Sequence, residues 1–321
     1  MTTQPKIIAP DLEAIRSAHR RISPHIHRTP VVTSSSLDEI AGARLYFKCE
    51  NLQKTGSFKI RGATNAVFSL RDEEARHGVV APSSGNHAAA LSLAARWRGI
   101  PAYIVMPSNA SAVKKRAVEA YGGQITECEP NMAAREATAA AVKQQTGAHL
   151  VHPYNDIRVI TGQGTAALEL LEEIPDLDVL LTPVSGGGLL GGSAIAAKSV
   201  RPAIRVIGGE PANADDAYRS LASGKIESAS PRETMADGLR ATLCPLTFSI
   251  LRERVDQISL VTEEEIVSTM LLLWERLKLV VEPSGAVAAA PALLRKIGAE
   301  GKKVGIILSG GNLDLHKLPF K

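Results

Sequence analysis

Short apolar runs alternate with longer helical patterns along most of the chain, and this alternation restricts its fold more than any other feature. Strands are predicted at residues 45–49, 79–81, 103–106, 125–128, 179–184, 204–208 and 304–308. Helices are predicted between or after them, at residues 87–97, 111–120, 132–145, 163–173, 189–199, 262–279 and 285–297. This order is typical of mainly parallel sheets with helices on both faces, so the expected fold class is α/β. A chain of 321 residues is long enough for two lobes.

The charge pattern and the apolar segments exclude several classes of protein. The net charge of +4 is modest and no basic arm is present, so we expect no nucleic-acid partner. The first ten residues lack the pattern of a signal peptide, and the apolar stretch 265–281 is interrupted by charged side chains, so we expect no membrane association. The three cysteines form no C-x-x-C pair, which favours reduced thiols and a cytoplasmic protein.

Lys59 is the first candidate for chemistry. It lies in the segment 55–63, Thr-Gly-Ser-Phe-Lys-Ile-Arg-Gly-Ala, among small and apolar neighbours. Such an environment lowers the pKa of a lysine, as a Schiff base or a proton transfer requires. The alternative is a lysine on the exposed face of a helix. A single lysine does not decide between the two, so the neighbouring motifs must.

Two polar loops follow predicted strands. Residues 83–87, Ser-Ser-Gly-Asn-His, offer hydroxyl, amide and backbone N–H groups at the start of a helix, which suits a carboxylate or a phenolate oxygen. The alternative there is a plain helix N-cap. Residues 309–312, Ser-Gly-Gly-Asn, place a hydroxyl where it could meet a pyridine nitrogen without adding charge.

A third loop, residues 185–189, has the sequence Ser-Gly-Gly-Gly-Leu and follows a buried strand. Glycine lets a backbone approach a phosphate closely, and the next helix adds its dipole, so we predict a phosphate site. The same loop fits the dinucleotide fingerprint Gly186-x-Gly188-x-x-Gly191, with Glu210 placed to hold a ribose. An NAD-dependent dehydrogenase is therefore an alternative, although it leaves Lys59 and the other two loops unexplained.

Taken together, the four motifs resemble the fold type II pyridoxal-phosphate family, in particular its serine racemase, serine/threonine dehydratase and 3-hydroxyaspartate dehydratase branch. The resemblance extends from residues 27–30, His-Arg-Thr-Pro, to residues 309–312. It implies a two-lobed fold similar to the tryptophan synthase β subunit, with parallel sheets flanked by helices. A large cofactor-binding domain would comprise residues 1–74 and 153–321, and a small mobile domain residues 75–152, with pyridoxal 5'-phosphate between them.

The resemblance also implies roles for individual residues. Lys59 would form the Schiff base with the cofactor and act as a base on one face of the substrate, and Ser84 would be the second base in a racemase. Glu282 is expected near the cofactor ring; alternatively, it is an acid at the start of a helix. The other cofactor-binding residues implied are Asn86, Ser185, Gly186, Gly187, Gly188, Leu189 and Ser309. The substrate-binding residues implied are Ser83, Ser84, Asn86, His87 and Arg135.

An acidic run at residues 210–216, Glu-Pro-Ala-Asn-Ala-Asp-Asp, resembles the divalent-cation site of serine racemases. By that resemblance Glu210 and Asp216 supply carboxylates and Ala214 its carbonyl oxygen. Oxygen ligands favour a hard ion, so we expect Mg²⁺ or Ca²⁺, with Mn²⁺ tolerated. The alternative is an acidic start of a helix without a metal.

Arg135 restricts the class of substrate that we expect. Racemase-like and hydroxyaspartate-dehydratase-like members carry an arginine here, and a guanidinium holds a carboxylate in two parallel hydrogen bonds. The alternative is a solvated helix arginine. We expect a dehydratase (ammonia-lyase) that converts a β-hydroxy amino acid, 3-hydroxyaspartate ahead of L-serine or L-threonine, to a 2-oxo acid and ammonia. Serine racemase is the alternative within the class, and a homodimer is the expected assembly.

Overall fold

The structure, a computed structural model, describes residues 9–320, whose strands form two sheets. The larger sheet has the strand order β1-β2-β10-β7-β8-β9. All its neighbouring strands are parallel except β1 and β2. Its strands are β1 (Val31–Val32), β2 (Arg44–Cys49), β7 (Val179–Pro183), β8 (Arg205–Pro211), β9 (Gln257–Val261) and β10 (Lys303–Leu308).

The smaller sheet has the order β5-β4-β3-β6 and is parallel throughout. Its strands are consecutive in the chain: β3 (Val79–Pro82), β4 (Ala102–Pro107), β5 (Gly123–Cys128) and β6 (His149–Leu150). Strand β7 is buried along its whole length and β10 along nearly all of it, as expected of parallel strands covered on both faces. The predicted α/β class is confirmed.

Helices cover both sheets. They are α1 (Leu12–Ile22), α2 (Ser35–Ala41), α3 (Lys59–Phe68), α4 (Asp72–Ala75), α5 (Asn86–Arg98), α6 (Ala112–Ala120), α7 (Met132–Thr146), α8 (Ile157–Glu173), α9 (Gly188–Val200), α10 (Asp216–Ser223), α11 (Pro245–Arg254), α12 (Glu263–Leu277), α13 (Pro283–Ala286) and α14 (Ala290–Leu293). Several begin at caps visible in the sequence: the Asp11 carboxylate accepts the Ala14 N–H, and Thr262 and Glu265 form a capping box.

The cores follow from this arrangement. On one face of the larger sheet α8 and α9 pack a cluster that includes Ile160, Leu190 and Ile307. On its other face α12 and α14 pack a second cluster around Phe47 and Met270. Helices α3 and α5 pack together against the smaller sheet in a third. Among residues 9–320, no helix is long and apolar enough to cross a bilayer.

All seven predicted strands exist, but one predicted helix is wrong. Residues 285–297 form not one helix but the short helices α13 and α14. The physical reason is Pro291, which has no N–H to donate and whose ring excludes a continuous helix through the preceding turn. Sequence analysis also missed β1, β6, β9 and several helices, including α1 and α3.

The topology brings the predicted motifs to one edge. Strand β10 lies between β2 and β7, with Leu308 opposite Cys49 and Ile306 opposite Leu181. Because parallel strands end at the same edge, the segments after β2, β7 and β10 emerge side by side. These segments contain Lys59, the glycine loop 185–189 and the loop 309–312 respectively.

Candidate active site

Lys59 and the loop after β10 are joined by backbone pairing. Ser57 forms an isolated antiparallel bridge with Gly310. On either side of it the Phe58 N–H donates to the Ser309 carbonyl at 3.0 Å, and the Gly311 N–H donates to the Gly56 carbonyl at 2.9 Å. Helix α3 therefore begins, at Lys59, directly beside Ser309. Two motifs that are 250 residues apart in the sequence form one wall of a site.

The Lys59 side chain lies in a half-buried position, and its Nζ donates to the Pro153 carbonyl at 3.3 Å. Burial lowers the pKa of Lys59 to about 8, although the nearby Glu282 carboxylate acts in the opposite direction. An amine with this pKa is partly neutral near neutral pH, as a nucleophile or a base must be. Close to it in sequence, the buried Ser57 hydroxyl has no hydrogen-bond partner within residues 9–320.

The loop 83–87 presents an uncapped helix start. Gly85 is the N-cap residue of α5, and no side chain among the described residues caps it. A Cβ atom added at Gly85 would meet nothing within 4 Å, so open space lies in front of this loop. Ser83 and Ser84 are half-buried beside it. Gly85 thus serves as the helix N-cap, and the N–H groups of the first turn, which have no side-chain partner among the described residues, suit a carboxylate.

The Asn86 side chain is hydrogen-bonded to Glu282 and Asn312, which flank the larger sheet, whereas Asn86 itself follows a strand of the smaller sheet. Its Nδ2 donates to Glu282 Oε1 at 2.9 Å, and its Oδ1 accepts from Asn312 Nδ2 at 2.9 Å. The Asn312 N–H donates to Glu282 Oε2 at 3.1 Å. Burial and the charge of Asp237 raise the pKa of Glu282 to about 8. The structure thus places Asn86 and Glu282 together, next to Lys59.

His87 has its ring in the interior. Its Nε2 lies 3.0 Å from the Val151 carbonyl, so this nitrogen carries the proton and donates it. Burial and the proximity of Lys59 lower the pKa of His87 to about 3, which keeps the imidazole neutral. His87 can contribute its backbone N–H to the loop 83–87, at the start of α5. Its side chain is turned to the interior, where it is hydrogen-bonded to the Val151 carbonyl.

The glycine loop begins helix α9. Gly187 has a φ of 85° and is the N-cap residue of α9, again with no side-chain cap in the described part of the chain. The hydroxyl of Ser185 donates to the Ala241 carbonyl at 3.2 Å. Gly188 and Leu189 occupy the first turn of α9, where backbone N–H groups have no partner inside the helix. This arrangement can hold a phosphate.

Tyr154, which sequence analysis missed, covers the glycine loop. A Cβ atom on Gly186 would lie 2.5 Å from Tyr154 Cδ1, so only glycine allows the ring to pack there. Burial raises the pKa of Tyr154 to about 12. Nearby, burial and Lys59 lower the pKa of His152 to about 4, and its Nδ1 accepts the Asn155 N–H at 2.9 Å. No signal in the sequence indicated Tyr154, because the strand before it, β6, has only two residues and was not predicted.

Arg135 lies in the first turn of α7 and is half-buried. Its Nε is buried and has no hydrogen-bond partner among the residues that the structure describes. A solvated arginine would keep this donor in water, so that alternative fits less well than a side chain with a donor available for a ligand.

The acidic run forms a buried pair of carboxylates. Glu210 accepts the N–H groups of Ala217 and Tyr218, both at 2.8 Å. Burial raises the pKa of Glu210 to about 8 and that of Asp216 to about 6. Asp216 Oδ2 is buried without a partner in the described chain, and Ala214 is buried beside it. Within residues 9–320 no group of three acidic, histidine or cysteine side chains converges, so a cation here needs the Ala214 carbonyl or water.

The residues brought together fit pyridoxal phosphate. An amine of lowered pKa suits the aldehyde, the uncapped start of α9 suits the phosphate, and the uncapped start of α5 suits the carboxylate of a substrate. Residues 22–310 match the model of a family described as pyridoxal-phosphate dependent enzyme. The chain belongs to this family and is a pyridoxal-phosphate-dependent enzyme, and the match does not support the NAD-dependent alternative.

Relatives with the same fold are similar over nearly the whole chain. A serine racemase from Oryza sativa is 51% identical, covering 97% of this chain and 93% of the relative. A β-hydroxyaspartate dehydratase from Paracoccus denitrificans is 50% identical, covering 97% of this chain and 99% of the relative. The solved structure of maize serine racemase superposes with a TM-score of 0.94 at 49% identity, covering 96% of this chain and 95% of that one.

Proposed function

We propose that this enzyme is a dehydratase (ammonia-lyase) that converts 3-hydroxyaspartate to oxaloacetate and ammonia. The carrying observation is Arg135, whose buried Nε lacks a partner within the described chain, in a protein 50% identical to a β-hydroxyaspartate dehydratase. A guanidinium recognises a carboxylate through two parallel hydrogen bonds, and hydroxyaspartate has a second carboxylate that serine and threonine lack.

Different residues of the site would bind different parts of the cofactor. We propose that Lys59 anchors the cofactor, the N–H groups of loop 185–189 hold its phosphate, and Ser309 meets its pyridine nitrogen. When bound, the cofactor withdraws electrons from the substrate Cα and so makes the Cα proton acidic. Asn86 is oriented by Glu282 and Asn312, and it fixes the cofactor ring on the side of the smaller sheet.

The substrate is held by the uncapped start of α5. Its α-carboxylate accepts the free N–H groups of residues 85–87 and the hydroxyls of Ser83 and Ser84. The Lys59 amine takes the Cα proton, the C–O bond at Cβ breaks, and the hydroxyl leaves with a proton as water. The enamine that remains tautomerises, and water then releases ammonia, so one hydroxyaspartate gives one oxaloacetate and one ammonia.

Serine racemase is the second candidate, supported by the relative from rice at 51% identity. Racemisation needs a base on each face of Cα, and the half-buried Ser84 supplies a hydroxyl in the loop 83–87. Incubation with L-serine separates the two: a racemase forms D-serine, whereas a dehydratase forms pyruvate and ammonia.

Four further features belong to the proposal: a mobile domain, a cation site, a homodimer and a cytoplasmic location. Residues 75–152, which contain the whole smaller sheet, act as the small mobile domain that closes over the substrate. Glu210, Ala214 and Asp216 hold Mg²⁺ or Ca²⁺, because burial raises the pKa of both carboxyl groups and no cationic side chain contacts them among the residues described. The homodimer and the cytoplasmic location remain predictions.

The assignment of Lys59 is tested by reduction. We expect borohydride treatment of the holoenzyme to abolish its visible absorption band and to fix a pyridoxyl group on the peptide that contains Lys59, because burial lowers the pKa of this lysine. Peptide mass spectrometry checks it. An adduct on Lys54 or Lys114 instead would overturn the assignment.

The assignment of Arg135 is tested by substrate comparison. Arg135→Ala should raise the barrier for hydroxyaspartate by about 2–5 kcal/mol, the range for removing one partner of a buried charge pair. Elimination from serine should change far less, since serine has no second carboxylate. Product analysis measures kcat/KM for both. Equal losses would show that Arg135 supports the fold, and a wild-type enzyme that strongly prefers serine would remove the hydroxyaspartate assignment.

A further inference from the structure

Helices α8 and α3 touch backbone to backbone. A Cβ atom added to Gly162 of α8 would lie 2.6 Å from the Arg61 carbonyl oxygen and 2.7 Å from Gly62 Cα. From the other side, a Cβ atom on Gly62 would lie 2.8 Å from the Val159 carbonyl oxygen. Real Cβ atoms essentially never come so close to backbone atoms. The two helices therefore cross at their glycines, one helical turn after Lys59.

Helices α8 and α9 touch in the same way. A Cβ atom on Gly164 of α8 would lie 2.7 Å from the Gly192 carbonyl oxygen, and one on Gly192 would lie 2.7 Å from the Gly164 nitrogen. Gly192 lies four residues after Gly188, the first residue of α9. This second crossing is therefore also about one helical turn from a functional end, here the phosphate loop.

The two crossings lie on nearly opposite sides of α8, since residues two apart on a helix point about 200° apart around its axis. We propose that Gly162 and Gly164 make α8 a spacer that sets the distance between Lys59 and the phosphate-binding start of α9. This rests on the proposed roles of Lys59 and loop 185–189. The requirement is chemical, because a rigid cofactor ring must reach the lysine while its phosphate stays bound.

Two further contacts hold the lysine side of the spacer. Gln163, between the two glycines, accepts the Gly62 N–H with its Oε1 at 3.1 Å. Arg61 donates to Glu169 of α8 at 2.8 Å, which fixes α3 against α8 about two turns further along α8. Displacements of about 1 Å far from the chemistry cost as much as a hundredfold in rate, so contacts that exclude a single methyl group are of the right scale.

The test separates the two sides. Gly164→Ala moves α9, so it should weaken binding of pyridoxal phosphate about tenfold or more, while binding of phosphate-free pyridoxal changes little. Gly162→Ala moves α3, so the ratio of the two affinities should stay at the wild-type value. Its visible band should instead form about tenfold more slowly after cofactor is added to apoprotein, with a midpoint shifted to higher pH as Lys59 becomes hydrated.

Gly191→Ala is the matched control. It lies on α9 one residue from Gly192, but its Cβ atom would meet Ile250 and Leu251 side chains at 3.4 Å, an ordinary contact. It should behave as wild type in both measurements. Melting of each apoprotein shows that the variant is folded.

If a glycine variant does not fold, Gln163→Ala replaces it in the test, because this substitution removes the hydrogen bond to the Gly62 N–H without adding volume. It should slow formation of the visible band and leave the affinity ratio unchanged. Wild-type behaviour of Gly164→Ala, Gly162→Ala or Gln163→Ala would overturn the spacer. A wild-type protein without a Lys59 adduct would instead overturn the proposed function, so the two failures are distinct.

Discussion

Two buried regions of the molecule contain a pair of carboxylates each, and their electrostatics are opposite. Glu50 and Glu169 both contact Arg61, two residues after Lys59, and Glu169 also contacts Lys48. Glu210 and Asp216 lie at the end of β8 and the start of α10, with no such cation in contact among the residues described. Burial removes water from both pairs of carboxylates. The difference shows that the pKa of a buried acid depends on its partners, because the first pair is neutralised by side chains and the second is not.

In the first region, which we call the Arg61 cluster (Lys48, Glu50, Arg61 and Glu169), every side chain is at most 1% exposed. Arg61 donates to both oxygens of Glu50, at 2.7 and 2.8 Å, and to both oxygens of Glu169, at 2.8 Å each. Burial alone would raise the pKa of Glu169, but hydrogen bonds from His19 and Arg61 hold it well below its usual value. Two negative and two positive charges balance.

The second region is the acidic pair, Glu210 and Asp216. Its stabilising contacts are backbone N–H groups at the start of α10, and the nearby Arg219 is engaged by Asp215 at 3.0 Å. The pKa values of Glu210 and Asp216 are therefore raised by burial, where that of Glu169 is lowered overall. A bound divalent cation would supply the charge that Arg61 and Lys48 supply in the other region.

The largest expected effect comes from breaking the Arg61 cluster. Arg61→Met leaves Lys48 to face two buried carboxylates and should destabilise the fold by about 3–5 kcal/mol, the usual cost of breaking a buried ion pair from one side. Urea unfolding measures it. The matched control is Arg28→Met, which removes an exposed pair with Glu172 and should cost less than about 1 kcal/mol. Similar losses in both variants would contradict the comparison.

An intermediate effect should come from supplying the acidic pair with a cation. Chelation should lower the melting temperature, and Mg²⁺ or Ca²⁺ at a hundred times its Kd should restore about 2.7 kcal/mol of stability. Asp216→Asn should abolish this response, because it removes the carboxylate whose Oδ2 lacks a partner in the described chain. Asp215→Asn, which loses only the contact with Arg219, should keep it. Thermal melts with and without EDTA distinguish these outcomes.

The smallest expected effect is a pH dependence that sharpens the contrast. Because the folded-state pKa of Glu169 lies below its unfolded value of about 4.5, its stabilisation is fully present above that pH and is lost as the pH falls through the folded-state pKa. The stability difference between wild type and Arg61→Met should thus be largest near pH 8 and shrink as the pH falls, because the buried carboxylates that lose Arg61 take up protons at a higher pH than they do in the wild type. A difference that is unchanged between about pH 8 and pH 4 would show that Glu169 is not held ionised by Arg61.

The sequence predicted those elements whose pattern is local. Apolar runs such as residues 179–184 and 304–308 are long enough to be recognised as buried strands, and they were confirmed. Strands β1 and β6 have two residues each and show no period, so only their pairing with β2 and β3 defines them. The single helix predicted at residues 285–297 was wrong for a reason that is local in the sequence, because Pro291 lies within the segment and interrupts a helix.

The candidate site likewise contains residues that the sequence could predict and residues that it could not. Lys59 and the three loops could be proposed from the sequence because each has a composition suited to its predicted chemistry. Tyr154 and the Arg61 cluster could not, because their meaning lies in contacts between distant residues: Arg61 and Glu169 are 108 residues apart, and Asn86 and Glu282 are 196 apart. No periodicity encodes such pairs, and only the folded chain shows that they meet.

The position of β10 has a consequence for synthesis of the protein. It is the last strand of the described chain, yet it lies between β2 and β7. A ribosome therefore completes the smaller sheet, whose strands are contiguous, long before the larger one. Until residues 303–308 emerge, β2 and β7 each expose an unpaired apolar edge of the kind that promotes aggregation. A chain terminated just before Lys303 would carry nearly every residue of the active site and still be a substrate for chaperones and proteases.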